Sequence, residues 1–374
     1  MSAEEKPKEL FKIVNWSTLS EYGSGMHEMA RELSDAENLV PGVESGVCCT
    51  MNREPMVLHQ GKFVKATDHP ELVQGARYIT KSWDWAKDAD VNVIHSHIPI
   101  DFPKMKNRVL VAHGTPEHCL HNELNSRNTP LSTTIDSIME CELTVTLIKR
   151  HLQYWREYAP AKVYFAPGGV DLSRYLPVPT PGMDKDPYPF TGRPAVMYAE
   201  QWRDIKLPFT LFHAAKFAWR RLPALRLEVM NLPLGRSATN PARQLGFFWQ
   251  KMVAKLNADM ICEIFTEARL TQIEKYYRGA SMYVSPCWKG DISRCGMEAM
   301  ATGTPVLALE GPGAASMKCA DDPEPMADAI EGLWNRIVAD PEKEAAQARL
   351  IAEENYDIRD TGKATVAIYK KHFG

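Results

Sequence analysis

Short apolar runs alternate along this chain with stretches whose apolar residues recur every three to four positions. The runs are bounded by Gly, Pro and polar residues and read as buried strands. They fall at Leu10–Trp16, Val91–His97, Arg108–His113, Leu143–Leu147, Lys162–Ala166, Ala195–Ala199, Leu225–Met230, Ile261–Phe265, Ser281–Ser285 and Thr304–Leu309. Between and after them, helical spacing predicts helices over Met26–Leu33, Lys149–Tyr158, Phe209–Arg221, Thr271–Gly279, Gly296–Ala301 and Ile358–His372. Such alternation predicts α/β architecture with parallel sheets. Residues 173–194 break the pattern with Pro177, Pro179, Pro181, Pro187, Pro189 and Pro194, which marks a linker. The chain is therefore divided into a first α/β domain (1–172), the linker, a second α/β domain (195–355) and a terminal helical segment (356–374).

Length and composition fit that division. The 374 residues suit two domains, and 44% hydrophobic with 24% charged residues is ordinary for a globular chain. The formal net charge of -3 excludes nucleic-acid binding through bulk positive charge. No apolar run reaches the ~20 residues of a spanning helix, and the first residues are polar rather than a leader. The eight cysteines include no CxxC pair, so free thiols in a reducing cytoplasm are expected. A membrane-surface placement is the alternative, because Lys149, Arg150, His151, Trp155 and Arg156 make a basic, aromatic helix.

In open parallel sheets, ligands bind beyond the carboxyl ends of the strands. Gly23-Ser24-Gly25 follows the first strand and opens a helix, where free amides favour phosphate; a plain tight turn is the simpler alternative. His113 ends a strand before Gly114 and can donate to an oxyanion or a sugar hydroxyl. His95 and His97 alternate on one strand and share a face. With His113, His118, Cys119 and His121 they make a metal cluster conceivable, but the spacings fit no zinc pattern. Arg203 and Lys206, after the strand at 195–199, suit a diphosphate or a solvated loop face. The polar stretch Glu117–Thr134 reads as a long functional loop. Ser285–Pro305 is the richest segment: a strand, a loop, then a helix predicted from Gly296 with Glu298 in its first turn. A carboxylate there stabilises the helix or accepts from paired sugar hydroxyls.

Glu298-Ala-Met-Ala-Thr-Gly-Thr-Pro-Val306 closely resembles the signature of the retaining family-four glycosyltransferases, which have the GT-B fold. Gly23-x-Gly25, Ile94-His-Ser-His97, Val111-Ala-His-Gly114, Pro167-Gly-Gly-Val-Asp171 with Tyr175, and Asn355-Tyr-Asp357 with Tyr369 resemble the family's other landmarks in order. The resemblance implies two Rossmann-like domains facing across a cleft, with the terminal helix crossing back to the first. It implies a metal-independent enzyme with no cofactor, whose co-substrate is a nucleotide-diphospho-sugar, most simply uridine-linked. His113, Arg203 and Lys206 would act at the reacting centre. Gly25, Glu298, Asp291, Ser293 and Arg294 would bind the donor. Gly23, His27 and His97 would line the acceptor side.

The chain departs from the family pattern on the donor side. Gly290 stands where the family has its first glutamate, with Asp291 beside it. Ser293-Arg294 replaces glycine and an apolar residue, and Glu200-Gln201 replaces Gly-Arg, with Arg203 shifted toward Lys206. These departures keep a non-catalytic nucleotide-sugar-binding protein in view. A sugar-nucleotide epimerase on the same fold would want a carboxylate pair near His113, and none is evident. The acceptor is open among a glycan, a lipid, a small molecule and a modified DNA base of the phage type. Oligomeric state is unreadable.

Overall fold

A computed structural model describes residues 10–17, 25–59, 62–73, 79–95, 98–99, 102–117, 119–120, 131–177, 194–200, 208–230, 251, 255, 262–265, 273–287 and 291–374. The chain divides into two compact units. The first comprises 1–123, 128–169 and 358–374, and the second 124–127 and 170–357.

The first unit carries β1 (Phe11–Ser17), β2 (Val43–Cys49), the antiparallel hairpin β3 (Met56–His59) and β4 (Lys62–Lys65), β5 (Val91–His95), β6 (Arg108–Ala112), β7 (Leu143–Thr146) and β8 (Val163–Phe165). Its main sheet is parallel in the order β2-β1-β5-β6-β7-β8. Strand side chains alternate between two cores. Val14, Trp16, Ile94 and Leu110 enter one; Ile13, Val93, Val109 and Val111 enter the other. Covering both faces explains why these strands read as continuous apolar runs. β2, read through in the sequence, carries Glu44, Ser45 and Gly46 and lacks such a run.

The second unit carries β9 (Ala195–Tyr198), β10 (Arg226–Met230), β11 (Cys262–Phe265), β12 (Met282–Ser285), β13 (Val306–Leu309) and β14 (Met317–Cys319). They form a parallel sheet in the order β11-β10-β9-β12-β13-β14. This is the doubly wound Rossmann order, with its reversal between β9 and β12. Val196 and Tyr198 point into one core, Met197 and Ala199 into the other.

The terminal helix Ile358–Phe373 belongs to the first unit. Val366 and Tyr369 join the core of Ile13 and Val93. It packs on the helix Gly25–Glu37 at close range: a Cβ on Gly362 would lie 2.7–2.8 Å from the carbonyl carbon, Cβ and oxygen of Ala36. Gly362→Ala is therefore expected to cost about 1–3 kcal/mol through overpacking. Urea unfolding measures it, and an unchanged midpoint would show that the two helices do not depend on this approach.

Two sequence expectations need correction. The stretch Glu117–Thr134 is not loop throughout, because the helix Leu131–Glu140 begins inside it, while 121–130 lie outside the described residues. The strand expected to run to His97 ends at His95, and 96–97 are not described. Cys48, Cys49, Cys119, Cys141, Cys287, Cys295 and Cys319 are free thiols. Among the described residues, no helix is long and apolar enough to cross a membrane.

Candidate active site

Each sheet has a switch point where its strand order reverses, and that is where such sheets bind ligands. In the second unit it lies beyond β9 and β12, where Glu200 follows β9 and Ser285 ends β12. Glu200 is buried and accepts a hydrogen bond from the Tyr283 hydroxyl at 2.9 Å.

Ser285 organises the next loop. Its hydroxyl lies 3.1 Å from Ser293 Oγ and accepts from the Ser293 amide at 3.3 Å. Ser293 in turn caps the helix Arg294–Ala301, its Oγ accepting from the Gly296 amide at 3.0 Å. This corrects the sequence reading. The helix starts at Arg294, not Gly296, so Glu298 stands in the second turn and owes nothing to the N-terminal dipole. The Gly296 amide is spent on the serine cap rather than left for a phosphate.

Glu298 is buried and held from two sides. Its Oε2 accepts from the Tyr277 hydroxyl at 3.0 Å, and its Oε1 from Arg294 Nε at 2.9 Å, an i,i+4 pair. Burial above all, with Glu298 among the neighbouring groups, holds the Tyr277 phenol well above its ordinary range, so it remains a donor. A carboxylate offers about four acceptor positions, and these two donors do not by themselves saturate it. Asp291 is buried in the loop just before the cap.

The far end of this helix explains the rest of the motif. Gly303 has φ +80°, the left-handed region that favours glycine. Its amide donates to Met300 O and the Thr304 amide to Ala299 O, each at 2.9 Å. That is a Schellman cap, and Pro305 beyond it cannot continue the helix. Ala-Thr-Gly-Thr-Pro thus ends one helix and starts β13, which fixes Glu298 against the sheet.

In the first unit, β1 and β5 flank the switch point. Asn15 sits on β1, His95 ends β5, and His113 follows β6. His95 Nδ1 lies 3.0 Å from His113 Nε2, and His95 Nε2 lies 3.0 Å from Asn15 Oδ1. Asn15 Nδ2 donates to Glu37 Oε2 at 2.8 Å and to Ser45 Oγ at 3.1 Å. The Ser45 hydroxyl donates to Glu37 Oε2 at 2.7 Å. Beneath the His113-Gly114 turn, buried Trp155 donates from its indole to Gly114 O at 2.7 Å.

Glu37 is fully buried. Burial pushes its carboxyl up to about 7, against the hydrogen bonds from Ser45, Asn15 and Thr365, which lower it. The Thr365 hydroxyl, which donates to Glu37 Oε1 at 3.4 Å, also lies 3.0 Å from Gly362 O; turned to that carbonyl it accepts the acid proton of the neutral form instead.

The structure thus groups Ser293, Arg294 and Glu298 on one loop and helix, with Asp291 beside them, and sets His113 against His95. Gly25 is the first residue of its helix. Gly23, His97, Arg203, Lys206 and the side chain of His27 lie outside the described residues. Sequence reasoning missed Tyr277, Ser285, Glu37, Ser45 and Asn15. Only Asn15 left a signal, as a lone amide inside an apolar run. Among the described residues, no group of three His, Cys, Asp or Glu side chains is placed to hold a metal ion.

Comparison with known proteins bears on the fold and on the segment that carries Glu298. Sucrose-phosphate synthase from Thermosynechococcus elongatus superposes with a TM-score of 0.66 at 15% identity, over 97% of this chain and 99% of that one. A trehalose-6-phosphate structure from E. coli, bound with UDP-2-fluoro glucose, gives 0.67 at 11% identity, over 96% and 99%. The fold is that of the GT-B glycosyltransferases. Within that class, residues 249–336 match the family model described as Glycosyl transferases group 1, which spans the Glu298 motif. The chain is also similar to the D-inositol 3-phosphate glycosyltransferase of Streptomyces griseus, at 24% identity over 259 residues, 64% of this chain. That of Nocardia farcinica is 26% identical over 151 residues, 40% of this chain. The matches span 52% and 32% of those two relatives' lengths.

Proposed function

We propose that this protein is a retaining glycosyltransferase that moves a sugar from a nucleotide-diphospho-sugar, UDP-linked in the simplest case, to a hydroxyl acceptor without a metal. The observation that carries this reading is Glu298. It is a buried carboxylate fixed between Tyr277 and Arg294, at a sheet's switch point, inside the segment that matches the group 1 model. Paired acceptor oxygens held in that way suit the paired hydroxyls of a ribose.

In this reading Arg203 and Lys206 neutralise the leaving diphosphate, the Gly25 amide faces phosphate, and His113 meets the donor sugar. Asp291, Ser293 and Arg294 shape the donor side, and Gly23, His27 and His97 the acceptor side. The acceptor oxygen attacks the anomeric carbon from the face the diphosphate leaves. The bond from that carbon to the phosphate oxygen breaks, and the same oxygen takes the acceptor's proton. Configuration is retained with no covalent enzyme intermediate, and fixed charges stabilise the departing group. D-inositol 3-phosphate, which names the curated relatives, is the first acceptor to try.

Proton NMR of the product tests the mechanism. An α-linked product from an α-linked donor, formed with EDTA present, is expected. A β-linked product, or dependence on added metal, would contradict it.

A further inference from the structure

The first unit contains a continuous hydrogen-bonded chain from a buried acid to the histidine at the end of β6. Glu37, Ser45, Asn15, His95 and His113 follow one another at 3.1 Å or less. Each link has a direction set by the chemistry of its atoms. The Asn15 amide nitrogen donates to the Glu37 oxygen and to Ser45 Oγ, which itself donates to Glu37. The amide is therefore oriented, and its carbonyl oxygen faces His95. A carbonyl oxygen only accepts, so His95 Nε2 carries a hydrogen. In a neutral ring its Nδ1 is then a lone pair. The hydrogen between the two rings must consequently belong to His113 Nε2.

We propose that Glu37, Asn15 and His95 are positioning residues that hold His113 as its Nε2–H tautomer and so make its Nδ1 a hydrogen-bond acceptor. This rests on the glycosyltransferase reading only for what His113 meets. There it changes the expected role: a neutral His113 takes a hydrogen bond from a sugar hydroxyl instead of donating one. Everything in the chain is internal to one unit. β1, β2, β5 and the helix Gly25–Glu37 supply it, and Thr365 of the terminal helix closes it at Glu37. Ser34 adds a further link, lying 3.1 Å from Ser45 Oγ. Three elements thus orient one amide, more than packing one histidine requires.

The test reads tautomers directly. The full-length protein, labelled with 15N in histidine and free of substrate at pH 8, is examined by two-bond 1H–15N correlation. His113→Gln and His95→Gln spectra identify the two rings. The wild type is expected to show Nε2–H and bare Nδ1 on both. An Nδ1–H pattern on either ring would overturn the proposal, whatever any variant does. Asn15→Leu is expected to return both rings to a mixture, whereas Glu37→Gln, which still accepts from Asn15 and Ser45, keeps the wild-type pattern. Unchanged tautomers in a folded Asn15→Leu protein would remove Asn15 from the chain. None of these spectra needs a donor, so the failure of the glycosyltransferase reading would be seen separately, in nucleotide-sugar titrations. With turnover in hand, Asn15→Leu is expected to lower kcat by at least about tenfold while the donor KM holds within about twofold. The reverse split would contradict a positioning role.

Discussion

Glu298→Gln is expected to weaken nucleotide-sugar binding about 100-fold, roughly 3 kcal/mol, while the protein stays folded. Glutamine keeps one oxygen for the Tyr277 hydroxyl and loses the charge that Arg294 faces. What disappears is the pair of equivalent acceptor oxygens that suits two adjacent hydroxyls. Glu298→Ala goes further. It leaves the Tyr277 hydroxyl without its carboxylate inside the core and a guanidinium only 18% exposed beside the gap. Removing one partner of such a pair costs about 3–5 kcal/mol, so Ala is expected to lower the unfolding midpoint as well as binding. Wild-type affinity in Glu298→Gln would show that the carboxylate serves the fold and not the donor.

The second large effect is on stability as a function of pH. The Glu37 carboxyl sits near 7 in the folded protein, raised by burial from an ordinary value of 4.5. Between those values the folded chain keeps a proton that the unfolded chain releases. The folded state is therefore favoured in full below about 4.5, and this advantage is lost as the pH rises through 7. The shift corresponds to about 3 kcal/mol. Glu37→Gln stays neutral throughout and keeps the hydrogen bonds from Asn15 and Ser45. It is expected to be more stable than the wild type at pH 8, by up to about 3 kcal/mol, and to converge with it near pH 4.5. Urea unfolding at the two pH values measures this. A variant less stable than the wild type at pH 8 would mean that the buried carboxylate is ionised at no cost.

The sheets were legible because parallel strands buried on both faces are continuous apolar runs, as in Val91–His95 and Ala195–Tyr198. Where a strand carries polar or glycine residues the run vanishes, and β2 with its Glu44-Ser45-Gly46 went unread. The hairpin of β3 and β4 is half polar and lacks a two-residue turn signal. The helices Pro323–Ala339 and Pro341–Asn355 were also unassigned. Their signal was present: Asp322 and Asp340 each cap a helix that begins with proline. In the site, the motif at 298–306 was readable because each letter has a local job, from the paired carboxylate to the left-handed Gly303. The start of the helix that carries it was misplaced because Ser293 was read as a donor-side loop residue, when it is the cap. Tyr277 and Glu37 reach their partners only through tertiary packing, and no spacing in the sequence announces such contacts.

The glycosyltransferase account is tested most directly by calorimetric titration of the full-length protein, without metal, with uridine, guanosine, adenosine and thymidine diphospho-sugars. Saturable binding of one of them, lost in a folded Glu298→Gln variant, is the predicted result. Binding of none would contradict the account and favour a chain whose donor side Gly290 and its neighbours have rebuilt for another purpose.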